Sequence, residues 1–416
     1  MGRTGRVNRV VVTGMGAVTS VGQDVETFWS SLKQGKCGVN SLEAPEFQDA
    51  PIRIAAQVKE FDHSARLKNW ERDRTIMQAE RFSWLAAAAA SEAIFDAKLE
   101  MPLSIPARAA SIISSALGGQ ISGEKACRDR FIDHKRAVHP MLLPRIVCSS
   151  ASAHVGIEYG VEGPTFSICS AGAGAAQAIS IGRDYIRQGV CDVAIVGGTD
   201  SSITFGALLA SHALKLISPD GCFPFAKKRS GTVIAEGAGI LVLESLEHAE
   251  ARSAPILAEV CGVGMSFDCT GMLSVDPEAA AATMRFALHD AGLQPSAIDY
   301  VNANGTATQV NDVNETQAIK SVFGNHANEL GVSSTKSMHG HALGATSAIE
   351  AIACVRAINE AWMPPTIGLD VQDPNCDLDY VPNVGRPKDL KYVMSNSFAL
   401  GGFNAALVLG PPPSYA

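Results

Sequence analysis

The run Val332-Ser333-Ser334-Thr335-Lys336-Ser337-Met338-His339-Gly340-His341-Ala342-Leu343-Gly344-Ala345, continuing to Glu350, is the stretch from which the rest of the chain is best read. Its β-branched start predicts a short strand over 331–334, and Gly340 and Gly344 predict tight turns. From Ala345 an Ala-rich segment of good helix formers predicts a helix to Glu360. A lone His is more often a satisfied structural residue than a catalyst. A Lys and two His beside Gly, at the entrance to an Ala-rich helix, are harder to assign to structure alone.

Working outward, the same grammar recurs. Short β-branched runs predict strands over 10–12, 111–115, 192–196 and 239–243 in the first half. In the second half they predict strands over 256–263, 300–302, 331–334, 391–395 and 405–409. Helices are predicted over 81–97, 173–188, 277–291, 312–322 and 345–360, each rich in Ala, Glu, Arg or Gln. Strands alternating with helices of this length imply βαβ units around a buried, largely mixed sheet, an α/β class. Each half also has a small-residue turn entering a buried helix, at 170–174 and at 340–345, a faint internal duplication. The seam is placed near residue 250, giving halves 1–250 and 251–416 with no linker between them and a shared core. The tail from Pro411 onward carries no packing signal and is expected to fray.

Composition narrows the class. The 416 residues are 46% hydrophobic and 18% charged, as in an ordinary globular protein. A net charge of −8 argues against nucleic acid and anionic membranes as partners. The ten cysteines are scattered, with no CxxC pair and no Cys/His cluster at metal spacing. They are therefore expected to be reduced thiols in a cytoplasmic setting, most of them packing as small hydrophobes. No metal and no cofactor is implied. The basic stretch 1–9 runs into a strand-like 10–12 instead of a signal-peptide core, and no apolar run is long enough to span a bilayer.

Three further stretches carry chemistry. Gly163-Pro164-Thr165-Phe166-Ser167-Ile168-Cys169-Ser170-Ala171-Gly172-Ala173-Gly174-Ala175 predicts a strand, a small-residue turn and a helix N-terminus, where free N–H groups favour an anion. Taken alone it reads as close helix–sheet packing. Tyr300-Val301-Asn302-Ala303-Asn304-Gly305-Thr306-Ala307-Thr308, followed by Asp312 and Glu315, reads alone as loop and cap residues. Ser395-Asn396-Ser397-Phe398-Ala399-Leu400-Gly401-Gly402-Phe403-Asn404 reads alone as a strand exit with turn glycines.

In this order the four stretches resemble the β-ketoacyl synthases, the type II fatty-acid and polyketide condensing enzymes of the thiolase fold. The resemblance runs from Val11-Val12-Thr13-Gly14-Met15-Gly16 to Val408. It is most specific at Ser334-Thr335-Lys336-Ser337, His341 to Gly344, Glu236-Gly237-Ala238-Gly239 and Asn396-Ser397-Phe398 with Gly401-Gly402. It implies two pseudo-duplicated halves in a five-layered αβαβα core. It also implies a Cys acylated at a helix N-terminus, two His that hold a malonyl thioester carbonyl, and a Lys paired with a Glu. Lys336, His341 and Glu350 match that pattern. The nucleophile position falls on Gly172 and the first His position on Asn304. Sliding Cys169 into the slot would need a three-residue deletion and a compensating insertion, so Cys169 is expected in the core of the strand.

The departures bear on mechanism. Glycine has nothing to acylate, which closes the covalent route at this position. The backbone N–H groups of Gly172 and Leu400 are expected to remain as an oxyanion hole, with Asn304 and His341 each offering a hydrogen-bond donor. Phe398, Leu400, Thr306 and Thr308 are expected to contact substrate. Phe225-Ala226 stands where the resemblance implies Phe-Asp, with Arg229 kept, and Ala235 stands for a Gly before Glu236. Ala399-Leu400 stands for the Gly-Phe of a gate. A methyl is expected to stiffen that gate if it needs φ > 0, and Leu400 to act as a smaller plug.

Two readings follow. One is a non-acylating, chain-length-factor-type partner of an active ketosynthase, as a heterodimer or with itself as a homodimer. The other is a malonyl-carrier decarboxylase or non-acylating condensing enzyme using Lys336, His341 and Asn304. An acyl carrier protein is the implied partner in both, and the net negative charge says little against it, since carriers dock on local basic patches. Deliberate replacement of the Cys and His is a third explanation, against which the altered gate and Phe225-Ala226 speak. A scaffold outside lipid metabolism is a fourth.

Overall fold

The computed structural model describes residues 8–413, positions 102 and 274 excepted. Most of the basic stretch 1–9 and the last three residues of the tail lie outside the described residues. Ten strands form one sheet: β1 (Val10–Val18), β2 (Ala109–Ser114), β3 (Thr165–Phe166), β4 (Val193–Asp200), β5 (Gly237–Ser245), β6 (Ala258–Phe267), β7 (Tyr300–Asn302), β8 (Gly331–Ser333), β9 (Val393–Phe398) and β10 (Phe403–Gly410). Their spatial order is β8-β7-β9-β10-β6-β1-β5-β4-β2-β3. The first five strands take the order 3-2-4-5-1, and the second five repeat it. The polarity repeats too. β2 is parallel to β3 and β4, as β7 is to β8 and β9. β5 is antiparallel to β1 and β4, as β10 is to β6 and β9. Only two residue pairs, Val11 with Glu259 and Val12 with Ala258, join β1 to β6.

Helices sort the sheet into layers. On one outer face of the first five strands lie α1 (Arg81–Asp96) and α4 (Ser150–Tyr159), which follows α2 (Gln120–Phe131) and α3 (Leu142–Ile146) in the chain. Between the two five-strand sets lie α5 (Gly174–Arg187) and α9 (Thr346–Glu360). Outside the second set lie α6 (Pro277–Ala291) and α7 (Gln309–Phe323); α8 (Lys336–His339) is a single turn leaving β8. This is a five-layered αβαβα thiolase-like core. The first ten residues of α9 are all buried, as an apolar helix between two sheets must be.

Small residues set the layer spacing. A Cβ on Gly14 or Gly16 of β1 would collide with the Ala93 or Ala89 carbonyl of α1, and one on Gly262 or Gly264 of β6 with the Ala287 or Thr283 carbonyl of α6. Helix backbone therefore rides directly on strand backbone in both halves, at the same place in the duplicated unit. The Ala-rich sequence of α1 suits this contact, because larger side chains would lift the helix off the sheet.

Several expectations change. Cys169 lies beyond the two-residue β3 and is exposed, since the strand ends at Phe166 and the chain turns outward before the 170–174 turn. Cys37, Cys127 and Cys269 are exposed as well, whereas Cys191, Cys222, Cys354 and Cys376 are buried. Helices α2, α3 and α4 escaped the sequence reading. α2 and α3 bury no residue within this chain, so they show no apolar stripe to detect. Among the described residues no helix is long and apolar enough to cross a membrane.

Candidate active site

Four loops meet at the inner end of α5. The first is a single 3-10 turn, Ala171–Ala173, that feeds α5. Gly172 is its second residue, so its N–H is one of the helix-start donors without an intrahelical acceptor. Ala171 takes φ +45°, but the φ of Gly172 is not positive. The backbone therefore does not call for glycine here. A Cβ on Gly172 would lie 3.1 Å from His341 Cε1, 3.3 Å from its Nε2 and 3.9 Å from the Ala399 Cβ. A side chain at 172 would thus project straight at His341. Position 172 is therefore open to a side chain as far as the backbone is concerned.

His341 is held from both sides. Its N–H donates to the Val233 carbonyl at 2.8 Å, and the Ala235 N–H donates to its carbonyl at 2.9 Å. The Leu343 N–H donates to Nδ1 at 3.1 Å, and Thr346 Oγ1 lies 2.9 Å from the same nitrogen. With Nδ1 accepting, the proton sits on Nε2, the nitrogen that faces position 172. Burial pushes the His341 pKa down to about 3, with the Lys336 charge and then His339 adding to the effect. His341 is therefore a neutral donor, suited to hold a carbonyl oxygen.

Lys336 begins α8 and Glu350 lies one turn into α9. Their side chains are 1% and 0% exposed, and Nζ donates to Glu350 Oε1 at 2.6 Å. Burial raises Glu350 to about 7 against the pull of Lys336. The pair lies under the His341 loop and is the charged floor of the site.

Asn304 departs from expectation. Its Nδ2 donates to the Phe398 carbonyl at 3.0 Å and to Asn311 Oδ1 at 2.9 Å. The orientation is fixed by chemistry, because a carbonyl can only accept and Asn311 turns its own Nδ2 to Asp312 Oδ1 at 3.1 Å. Both amide protons are spent, so Asn304 brings no donor to a thioester; its Oδ1 has no protein donor among the described residues. The donors that remain are His341 Nε2–H and the N–H groups of Gly172 and Leu400, neither of which donates within the protein among the described residues.

The gate also differs. Ala399 and Leu400 have ordinary φ, and the positive values fall on Gly401 (+85°) and Gly402 (+82°). The methyl of Ala399 therefore costs no backbone strain. Leu400 is 44% exposed, while Phe398 is buried. Thr306 Oγ1 and Thr308 Oγ1 lie 3.1 Å apart, and Thr308 caps α7 by accepting from the Asn311 N–H. Both threonines follow Asn304 on the same loop.

Three carboxylates that the sequence left without roles build the loops. Glu315 accepts from the Asn304 and Gly305 N–H groups at 2.8 Å each and from Asn396 Nδ2 at 3.3 Å. Asp312 accepts from the Phe225 and Ala307 N–H groups at 2.8 and 3.1 Å. Asp200, at the end of β4, accepts from the Ala116, Leu117 and Gly344 N–H groups and from Ser115. Only Asp312 and Glu315, four and seven residues past Thr308, carried a sequence signal. Around them Ala171, Phe225, Ala307 and Leu343 all hold positive φ without being glycine. Strain of this kind persists where surrounding contacts dictate the conformation, and it gathers at functional sites.

The comparisons agree with this geometry. Residues 7–249 match the model of the beta-ketoacyl synthase N-terminal domain, and residues 257–370 that of the beta-ketoacyl synthase C-terminal domain. Nodulation protein E of Rhizobium sp. (strain N33) is 40% identical over 400 residues, covering 96% of this chain and 98% of that protein. The solved ishigamide ketosynthase/chain length factor superposes with a TM-score of 0.93 at 33% identity, covering 98% of this chain and all of that one. A type II polyketide acyl-carrier protein in complex with its ketosynthase bound to the hexaketide gives 0.88 at 31% identity, with the same coverage. The duplicated thiolase-like core is thus that of a ketosynthase-like protein of polyketide and fatty-acid synthesis, and the chain belongs to the β-ketoacyl synthase family.

Proposed function

We propose that the chain is the non-acylating partner subunit of an active ketosynthase, of chain-length-factor type. The observation that carries this reading is Gly172. The backbone there would accept a side chain, the space before His341 would admit one with a shift of a few tenths of an ångström, and none is present. A second feature supports a partner. Residues 120–149 form a lobe whose helices bury nothing, and Phe131, Ile132, Val138 and Leu143 are between 57% and 74% exposed on it. Exposed apolar side chains grouped on a lobe whose helices bury nothing suit a protein interface. Beside the lobe, the two-residue β3 ends the sheet with an unpaired edge. Co-expression with ketosynthases that retain the nucleophile should give a stable 1:1 heterodimer by size exclusion with light scattering. Recovery only as a homodimer indifferent to those synthases would remove the proposal.

The retained half of the site favours a second reading, decarboxylation of a malonyl group on an acyl carrier protein. The bond from the α carbon to the carboxylate breaks, CO2 leaves, its electron pair forms an enolate on the thioester carbonyl oxygen, and the α carbon then takes a proton from solvent to give the acetyl thioester. His341 Nε2–H with the Gly172 and Leu400 N–H groups offers three donors for that charge, and no thiol is needed. Incubation with malonyl-carrier should yield acetyl-carrier by mass spectrometry. His341→Ala should reduce the rate by about 10²-fold or more, the cost of losing one such donor. Equal rates in both proteins would dispose of this reading and leave the first untouched.

A further inference from the structure

We infer that Asn304 is a positioning residue that latches the turn after β9, fastening it to the start of α7. It does not rest on either functional reading above, and its test can fail independently of theirs. The latch has a fixed end and a held end. At the fixed end, the Asn304 backbone is clamped by Glu315 through the Asn304 and Gly305 N–H groups, and Ser334 Oγ donates to the Gly305 carbonyl at 2.8 Å. Asn311, set by the Thr308 cap and by Asp312, orients the Asn304 amide.

At the held end, the Asn304 amide reaches the Phe398 carbonyl, the last of β9. Beyond that carbonyl the turn has few ties. The Ala399 N–H donates to the Phe403 carbonyl at 2.9 Å and the Gly402 N–H to the Ala399 carbonyl at 3.2 Å, both within the turn itself. The Gly401 N–H donates to the Met272 carbonyl at 2.9 Å and the Asp268 N–H to the Gly402 carbonyl at 2.7 Å, ties to the loop after β6. Two successive glycines at φ +85° and +82° make the segment a natural hinge. Asn304 is the side chain that binds this hinge to the interior, and Ala399 stands at 3.9 Å from where a side chain on Gly172 would begin. Releasing the latch should therefore open access to position 172.

The test uses the full chain in two measurements. Hydrogen exchange by mass spectrometry compares the native protein with Asn304→Ala and Asn304→Leu, the second keeping the bulk without the N–H groups. Amides of Ala399, Gly401 and Gly402 should exchange about tenfold faster in both variants, the effect of losing one buried hydrogen bond, while those of β4 stay as protected as before. A general loss of packing would instead raise exchange in β4 as well. Independently, iodoacetamide labelling of the thiol in Gly172→Cys, followed on its own peptide, should quicken by a similar factor when Asn304→Ala is added. Unchanged exchange in the turn together with unchanged labelling would overturn the latch.

Discussion

Glu350→Ala lowers the free energy of unfolding by about 3–5 kcal/mol, the cost of leaving one member of a buried ion pair alone. Lys336 and Glu350 have essentially no solvent contact, so the ammonium loses its hydration on folding, and Glu350 is its one hydrogen-bond acceptor among the described residues. The pair makes one hydrogen bond, and Glu350 Oε2 has no partner among the described residues. Its geometry is thus far from the best a carboxylate can offer a cation. The double variant Lys336→Met/Glu350→Leu should recover most of the loss, because two apolar groups of similar volume need no hydration. Urea unfolding of the four proteins at one protein concentration gives the double-mutant cycle. A single-variant loss below about 1 kcal/mol would show that Lys336 does not depend on Glu350 for its charge. A pair this costly, kept where position 172 carries no nucleophile, is hard to account for by packing alone. It lies within reach of His341 and is the second cause, after burial, of that ring staying neutral.

How much of this was legible in the sequence depends on how local the cause is. The strand 300–302 and the helix 277–291 were read to the residue. The helix has Asp276 accepting from the Glu278 N–H at its start, Pro277 in the first turn and Gly292 left-handed at its end, so both boundaries are written in adjacent residues. Lys336, His341 and Glu350 lie close together in the sequence because one strand–turn–helix carries all three. The duplication was faint in sequence, although the Gly14/Gly16 and Gly262/Gly264 pairs mark the same strand of each half. Their meaning needs the helix that packs on them, which lies tens of residues away. The hydrogen bonds of Asn304 were not legible for the same reason, since one of its amide protons goes to a carbonyl 94 residues distant. Ala399 was misread because the left-handed turn falls on Gly401 and Gly402 instead. Helices α2 and α3 left no periodic signal because they bury no residue within this chain.

The stability of the fold should fall as pH rises from about 5 to 8, opposite to the usual acid-sensitive pattern. Burial raises Glu315 to about 7 and Asp200 and Asp312 to about 6. Between the ordinary carboxylate range and those values, the folded chain holds protons that the unfolded chain has released. For these carboxyls unfolding sheds protons in this window, outweighing the protons that His339 and His341, held at about 3 in the fold, take up below about pH 6.5, so stability declines with pH and the decline is complete at about pH 8. For Glu315, moved from 4.5 to about 7, the contribution is roughly 3 kcal/mol at about 1.4 kcal/mol per unit. Below about pH 4 the sign reverses, because Asp73, Asp290 and Glu244 are held below their ordinary values and lose their partners on protonation. The maximum should thus lie near pH 5. Urea unfolding at fixed protein concentration across pH 4 to 8 checks the curve, and Glu315→Gln, neutral at every pH, should flatten its upper limb. The slope decides the matter and not the level, since the amide also loses one acceptor in a cage of three N–H donors. A stability that climbs from pH 5 to 8 would mean that those three donors outweigh desolvation and keep Glu315 ionised. The Asn304 loop would then be anchored by a full negative charge.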